Sequence, residues 1–261
     1  MALFISLYRW KCVYLKLINN INLMKICLLF CGLQRTIKNN YQNTIDNLID
    51  TTNEFDIHFV TWKDENYSDF LLCFPNANIH LIDNVYLSDL DFKLWSKDLN
   101  IHISWMDKWK TNENALFRVY QQFYILKQSA LILENSDYDL IIKTRTDISL
   151  SSSIVKEYYE SVYNSDFKNI YFPNYMRHCA FVQGQACTDM FFFGKKEGMI
   201  KVLKFLDYIN IYKTNYIDSF NIFFKEPTPQ YNIIQPESTL YLFLEGQGFN
   251  IVFLDFIFNR N

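Results

Sequence analysis

Short unbroken apolar runs alternate along the chain with longer segments whose apolar residues recur every three or four positions. The run 25–31, KICLLFC, stops at Gly32 and predicts a strand buried on both faces, because a half-exposed strand would alternate apolar with polar residues. In the following segment, 35–49, Ile37, Tyr41, Ile45, Leu48 and Ile49 fall at helical spacing. Strands are predicted at 56–62 and 78–82 from their β-branched and aromatic content. The strongest helical pattern spans 114–135, where Leu116, Val119, Phe123, Leu126, Ala130 and Leu133 form one apolar stripe. A strand over 139–143 follows directly. Beyond it the pattern predicts a polar helix near 154–163, a strand at 169–173, and a loop of polar and small residues over 174–188. A strand at 190–194 and a helix at 195–209 come next. The last two elements are a helix at 236–248, with Pro236 in its first turn and Gly246 or Gly248 near its end, and a strand at 250–256.

This order predicts an α/β fold with a mostly parallel central sheet flanked by helices, and with strand 139–143 near its middle. No internal repeat or long linker interrupts 24–261, which reads as one domain behind an N-terminal extension over 1–23. Open sheets of this kind bind ligands beyond the carboxyl ends of their strands. Polar clusters at 32–35, 61–63 and 143–147 each follow a buried run, so they point at one rim. Strand alternation would turn Lys143, Arg145 and Asp147 to one face. Such a group suits either an ion-paired surface or a site for a charged ligand.

Half of the residues are hydrophobic and a fifth are charged, a composition that folds rather than stays disordered. A net charge of -3 removes the electrostatic reason to expect nucleic acid as a partner. The cysteines, at 12, 27, 31, 73, 179 and 187, form no Cys-x-x-Cys pair, and the expected setting is a reduced, cytoplasmic one. Residues 1–23 are apolar but broken by Arg9, Lys11 and Lys16, so no run reaches the roughly 20 apolar residues of a membrane span. No small-residue cleavage site follows them. Three readings stay open for this segment: an interfacial helix giving peripheral contact with a membrane, a further packed helix, or an upstream extension before a functional start at Met24.

The chain lacks the Gly-x-Gly-x-x-Gly, Gly-Lys-Ser/Thr and Gly-x-Ser-x-Gly signatures, which leaves dinucleotide, P-loop and hydrolase sites without support. His58, His80 and His102 sit in strand-like stretches and suit structural roles. Asp147 reads either as an ion-pair partner of Arg145 or as an oxygen ligand for Mg²⁺ or Mn²⁺ on a diphosphate. Asp189, just before a strand, is a turn acid or a site acid. Glu237, in a helix's first turn, is favoured by the macrodipole or serves catalysis. Trp95, Trp105 and Trp109 are core residues or sugar-stacking faces.

In chain order, CLLFCGLQRT, DIHFVTW, FYILKQSALILENSDYDLIIKTRTDI, TDMFFFGKKEGM and PESTLYLFL together resemble GT-A-fold glycosyltransferases. The likeness is to the bacterial and giant-virus type associated with capsule and lipopolysaccharide synthesis, and it covers roughly residues 24–255. It implies transfer of a sugar from a nucleotide-sugar donor to a glycan or glycolipid acceptor, usually with Mn²⁺ or Mg²⁺ on the diphosphate. Carried over residue by residue, it makes Asp147 the metal ligand and puts Gly32, Arg35, Trp62, Lys143 and Arg145 around the nucleotide and its phosphates. Asp189 and Glu237 become the acids of the reaction centre. One departure is chemical: Arg145 stands where the common Asp-x-Asp motif has its first acid, which removes one carboxylate from any metal site. A catalytically inactive nucleotide-sugar-binding or scaffold domain assisting a partner transferase is the alternative reading. A nucleotidyltransferase is a further rival, but it would need a more glycine-rich first loop than FCGLQRT.

Overall fold

The computed structural model describes residues 23–97, 99–101, 111–174, 187–211, 233–234, 236–256 and 258–260. Residues 1–22, with Cys12, and His102, Trp105, Trp109, His178 and Cys179 lie outside them. The first half of the chain forms β1 (Lys25–Cys31), α1 (Ile37–Leu48), β2 (Glu54–Trp62), α2 (Ser68–Cys73), β3 (Asn78–Ile82), α3 (Leu90–Ser96), β4 (Asn100–Ile101) and α4 (Asn112–Leu133). The middle contributes β5 (Leu140–Thr144), β6 (Ile148–Leu150), α5 (Ile154–Glu157), α6 (Tyr159–Asn164), β7 (Asn169–Pro173) and β8 (Phe192–Lys195). The remainder is α7 (Lys196–Leu203), α8 (Phe205–Ile211), β9 (Ile233–Ile234), α9 (Pro236–Gly246), β10 (Asn250–Leu254) and β11 (Phe258–Arg260).

The central sheet has seven strands in the order β10, β7, β8, β5, β1, β2, β3. All run parallel except β8, which is antiparallel to both neighbours. The strand that follows the long helix, β5, occupies the middle position. Its five residues are all buried, which is why it reads as a continuous apolar run until Lys143.

Helices cover both faces. Cys27, Leu29 and Cys31 of β1 pack with α3, α4, α7, α8 and α9, while Ile26, Leu28 and Phe30 pack with α1, α2, α5 and α6. Each such fully buried aliphatic or aromatic side chain contributes about 1.5–3 kcal/mol of transfer free energy. The apolar stripe of α4 is buried throughout, from Leu116 to Leu133.

Element boundaries differ from expectation where the backbone turns to aim a side chain. The helix expected over 195–209 breaks at Lys204, and the turn sets Phe205 edge-on to Phe123 at 4.7 Å and against Phe243 at 4.9 Å. The polar helix near 154–163 is likewise divided, at Tyr158. The helix α9 stops two residues before Gly248, which takes φ +70°. Phe249 N–H donates to the Leu244 carbonyl (2.9 Å) and Gly248 N–H to that of Glu245 (3.0 Å), a Schellman closure that releases the chain into β10. Among the described residues no helix is long and apolar enough to cross a membrane, and Cys27, Cys31, Cys73 and Cys187 are free and buried.

Candidate functional site

The chain leaves β1 toward β2 and β3 on one side and returns through β5 on the other, so the sheet reverses its order between β1 and β5. Such a switch point opens a crevice beyond the strand ends. A cavity of about 930 Å³ lies there, and it is lined by Gly32, Arg35, Trp62, Lys143, Arg145, Asp147, Asp189 and Glu237. The residues singled out from sequence therefore share one cavity. Because β8 runs antiparallel, its amino end brings Asp189 to the same rim that receives the carboxyl ends of β1, β2 and β5.

The loop after β1 is shaped by two positive φ angles. Gly32, at φ +111°, turns the chain while its N–H donates to the Val60 carbonyl (3.0 Å). Arg35, at φ +31°, is a non-glycine residue held in that half of the map. Such a backbone is unfavourable for any residue that carries a Cβ and persists where its surroundings fix it. Here the fixing comes from the segment after β5: Thr146 Oγ1 donates to the Leu33 carbonyl (2.6 Å) and Asn40 Nδ2 to the Thr146 carbonyl (3.0 Å). Asn43 exchanges two further bonds with Leu150, at 2.8 and 2.6 Å.

The strand β5 ends at Thr144, so alternation places Lys143 alone. Arg145 and Asp147 are brought together by the turn that precedes β6. Arg145 Nε donates to Asp147 Oδ1 (2.9 Å) and its Nη2 to Oδ2 (2.8 Å), a side-on fork; Arg35 Nη1 donates to the same Oδ2 (2.9 Å). The Asp147 side chain is only 2% exposed, against 18% for Arg145 and 42% for Arg35. Burial opposes the charge on Arg145, but the bonds to Asp147 and the nearby Asp189 outweigh it and hold its pKa above the ordinary value.

Lys143 is buried and donates to the carbonyls of Asp189 and Met190. Burial lowers its pKa to about 8, while Asp189 pulls in the opposite direction. Gln122, on α4, donates to Asp189 Oδ2. Cys187 N–H donates to the Glu237 carbonyl (3.1 Å), which ties the start of α9 to the Asp189 segment. Glu237 is itself buried, and its Oε2 has no hydrogen-bond partner among the described residues. Burial first, and the Asp189 carboxylate second, raise its pKa from 4.5 to about 7. A carboxylic acid there can carry or accept a proton near neutrality.

Trp62, at the end of β2, is half-buried and stacks on Tyr124 with 12° between the rings. Trp95 is in the core and offers no free face to a sugar. His58 and His80 stack together with Nδ1 and Nε2 2.9 Å apart, and His58 Nε2 meets the Tyr138 hydroxyl at 2.7 Å, so both serve the sheet rather than the cavity. Gln122, Asn40 and Thr146 were not legible as site-building residues from sequence. Asn40 falls a helical turn from Ile37 on the buried side of α1, and a buried asparagine in an apolar stripe is the one signal that could have drawn attention to it.

A divalent cation does not fit the Asp147 donor set. Both of its oxygens accept from guanidinium groups, whose positive charges within 2.9 Å oppose a cation there, and among the described residues no group of three or more His, Cys, Asp or Glu could hold an ion.

No protein-family profile matches the sequence, and no curated protein is similar to it in sequence. Among solved structures the chain is similar to core-mannan synthase A (CmsA/Ktr4) from Aspergillus fumigatus in its Mn/GDP form. The TM-score is 0.50 at 9% identity, over 90% of this chain and 74% of that one. It is also similar to mouse xyloside xylosyltransferase 1 in its apo form (TM-score 0.48, 9% identity, 89% and 84% covered). An active-site mutant of LgtC gives a TM-score of 0.43 at 11% identity, with 88% and 72% covered. The fold is α/β of the GT-A type, with a mostly parallel sheet between helical layers.

Proposed function

We propose that the protein is a glycosyltransferase that moves a sugar, such as a hexose, from a nucleotide-sugar donor to a glycan or lipid-linked glycan acceptor of a surface polysaccharide. The observation that carries this reading is the convergence of Arg35, Lys143 and Arg145 with Asp189 and Glu237 on one cavity at the sheet's switch point. Transfer breaks the bond between the anomeric carbon and the diphosphate, whose oxygen leaves with the electron pair. A new bond forms from the acceptor oxygen to that carbon, and the acceptor's proton must go to a base. The cations offset the charge that grows on the leaving group, where preorganised donors matter most. Glu237, with a free Oε2 and a pKa of about 7, is the group suited to take the proton. Asp189, held by Gln122, faces the reacting carbon or the acceptor hydroxyl. Trp62, which lines the cavity and is backed by the ring of Tyr124, suits the nucleoside. Peripheral membrane attachment through residues 1–23 would bring the cavity to a lipid-linked acceptor, and the apolar and cationic composition of that segment supports it. The test is release of nucleoside diphosphate by the purified chain across a panel of nucleotide sugars. An inactive scaffold would release none.

A further inference from the structure

We propose that the donor diphosphate is gripped by the guanidiniums of Arg35 and Arg145, aimed by Asp147, with no divalent cation between protein and phosphate; this rests on the nucleotide-sugar reading above. The carboxylate that would receive a metal is committed elsewhere. An ion on Asp147 would sit beside the positive guanidiniums already bound to that carboxylate through Arg145 Nε (2.9 Å), Arg145 Nη2 (2.8 Å) and Arg35 Nη1 (2.9 Å), in a buried position that water cannot screen. The other acids of the cavity are poor substitutes. Gln122 occupies an oxygen of Asp189, and Glu237, as the base that takes the acceptor's proton, cannot at the same time spend its Oε2 on an ion.

The same bonds make the arginines a receptor. A guanidinium carries five N–H donors in a fixed plane. Arg145 spends Nε and Nη2 on Asp147, and Arg35 spends Nη1; both side chains line the cavity, which leaves their remaining donors for a ligand there. Asp147 thus acts as a positioning residue: its buried carboxylate orients two forks of the shape that phosphate oxygens match in pairs. The strained φ of Arg35 fits this role, since it is maintained by the Thr146–Leu33 and Asn40–Thr146 bonds from the same segment that carries Asp147. Lys143 supplies a further positive charge at the cavity wall. The replacement of the motif's first acid by Arg145 is then an exchange of one metal ligand for one phosphate ligand.

Isothermal titration calorimetry of the full chain with UDP and with GDP, each in excess EDTA and in excess MnCl₂ or MgCl₂, tests this. One diphosphate should bind with a Kd that changes less than about twofold between the two conditions. Arg35→Ala, at an exposed position where folding is safe, and Arg145→Lys, which keeps the charge but not the fork, should each weaken binding about tenfold or more in EDTA. The corresponding monophosphate should bind the wild type about as weakly as the diphosphate binds these variants. Diphosphate binding that appears, or tightens about tenfold, only with Mn²⁺ or Mg²⁺ overturns the metal-free grip and leaves the nucleotide-sugar reading standing. An absence of binding by either diphosphate in both conditions overturns both.

Discussion

Asp147 holds Arg145 side-on through two parallel hydrogen bonds of 2.9 and 2.8 Å, at the end of the sheet's central strand and almost out of reach of water. A buried fork of this kind is costly to break from one side, because the partner left behind keeps its charge without its compensation. Asp147→Asn should therefore lower stability by about 3 kcal/mol, which for a chain of this size is roughly 5–10 °C in Tm. It should also reduce donor binding, since both arginines lose their alignment. Differential scanning calorimetry beside nucleotide titration checks the pair of effects; a variant that melts like the wild type would mean that the fork is not formed in solution.

Glu237 predicts opposite effects on stability and activity. Its pKa is raised from 4.5 to about 7 by burial and by Asp189, so the folded state is favoured below pH 4.5 and loses that stability as pH rises through about 7. Glu237→Gln removes the charged form, and at pH 8 it should raise stability by about 2–3 kcal/mol. Turnover, which needs the deprotonated base, should rise in the wild type as pH climbs through about 7 and level off above it. The Gln variant should be slow and without that inflection. If the variant is less stable than the wild type at pH 8, Glu237 is a structural residue and not a destabilised base.

The histidine pair gives an acid limit to the fold. Burial and the neighbouring His80 depress the pKa of His58 from 6.5 to about 4, with Asp56 opposing. Its neutral form contributes stability that is complete above pH 6.5 and is lost as pH falls toward 4. Discounted for partial exposure, the loss between pH 7 and pH 5 is about 1–2 kcal/mol. Urea denaturation at the two pH values should show it in the wild type and show less of it in His58→Gln; equal losses in both would place the acid sensitivity elsewhere.

The N-terminal segment is testable apart from the cavity. Removing residues 2–23 should release the protein from anionic liposomes in a flotation assay, since Arg9, Lys11 and Lys16 and the apolar positions between them go together. Donor hydrolysis should be unaffected. Equal flotation of the shortened chain would end the membrane assignment.

Much of this architecture is written in local patterns. The strands β1 and β5 are legible because a strand covered on both faces reads as a nearly unbroken apolar run, and α4 because its stripe repeats over about five turns of helix. The sharing of one rim by Gly32, Trp62 and Lys143 follows from parallel strands all ending on the same side. What local pattern could not supply was the placement of Arg145 and Asp147: the strand stops at Thr144, and a turn, not alternation, brings the two together. Nor could it supply the third member of the cluster, because the Arg35–Asp147 bond joins residues 112 positions apart. The same distance in sequence hid the dependence of Asp189 on Gln122, across 67 positions. Such contacts depend on how α1 and α4 settle on the sheet, which no single segment encodes.

Whether this cavity transfers a sugar is decided by the release of nucleoside diphosphate per folded molecule, wild type against Arg145→Ala. Each nucleotide sugar of a panel is incubated with both proteins in turn, with the folded fraction set by thermal melting. The wild type should release diphosphate from at least one donor, and Arg145→Ala should do so about 10²–10³ times more slowly, the scale of losing one preorganised donor to a transition state. A wild type that releases no diphosphate from any donor, or a folded Arg145→Ala protein that turns over at the wild-type rate, would contradict sugar transfer at this cavity.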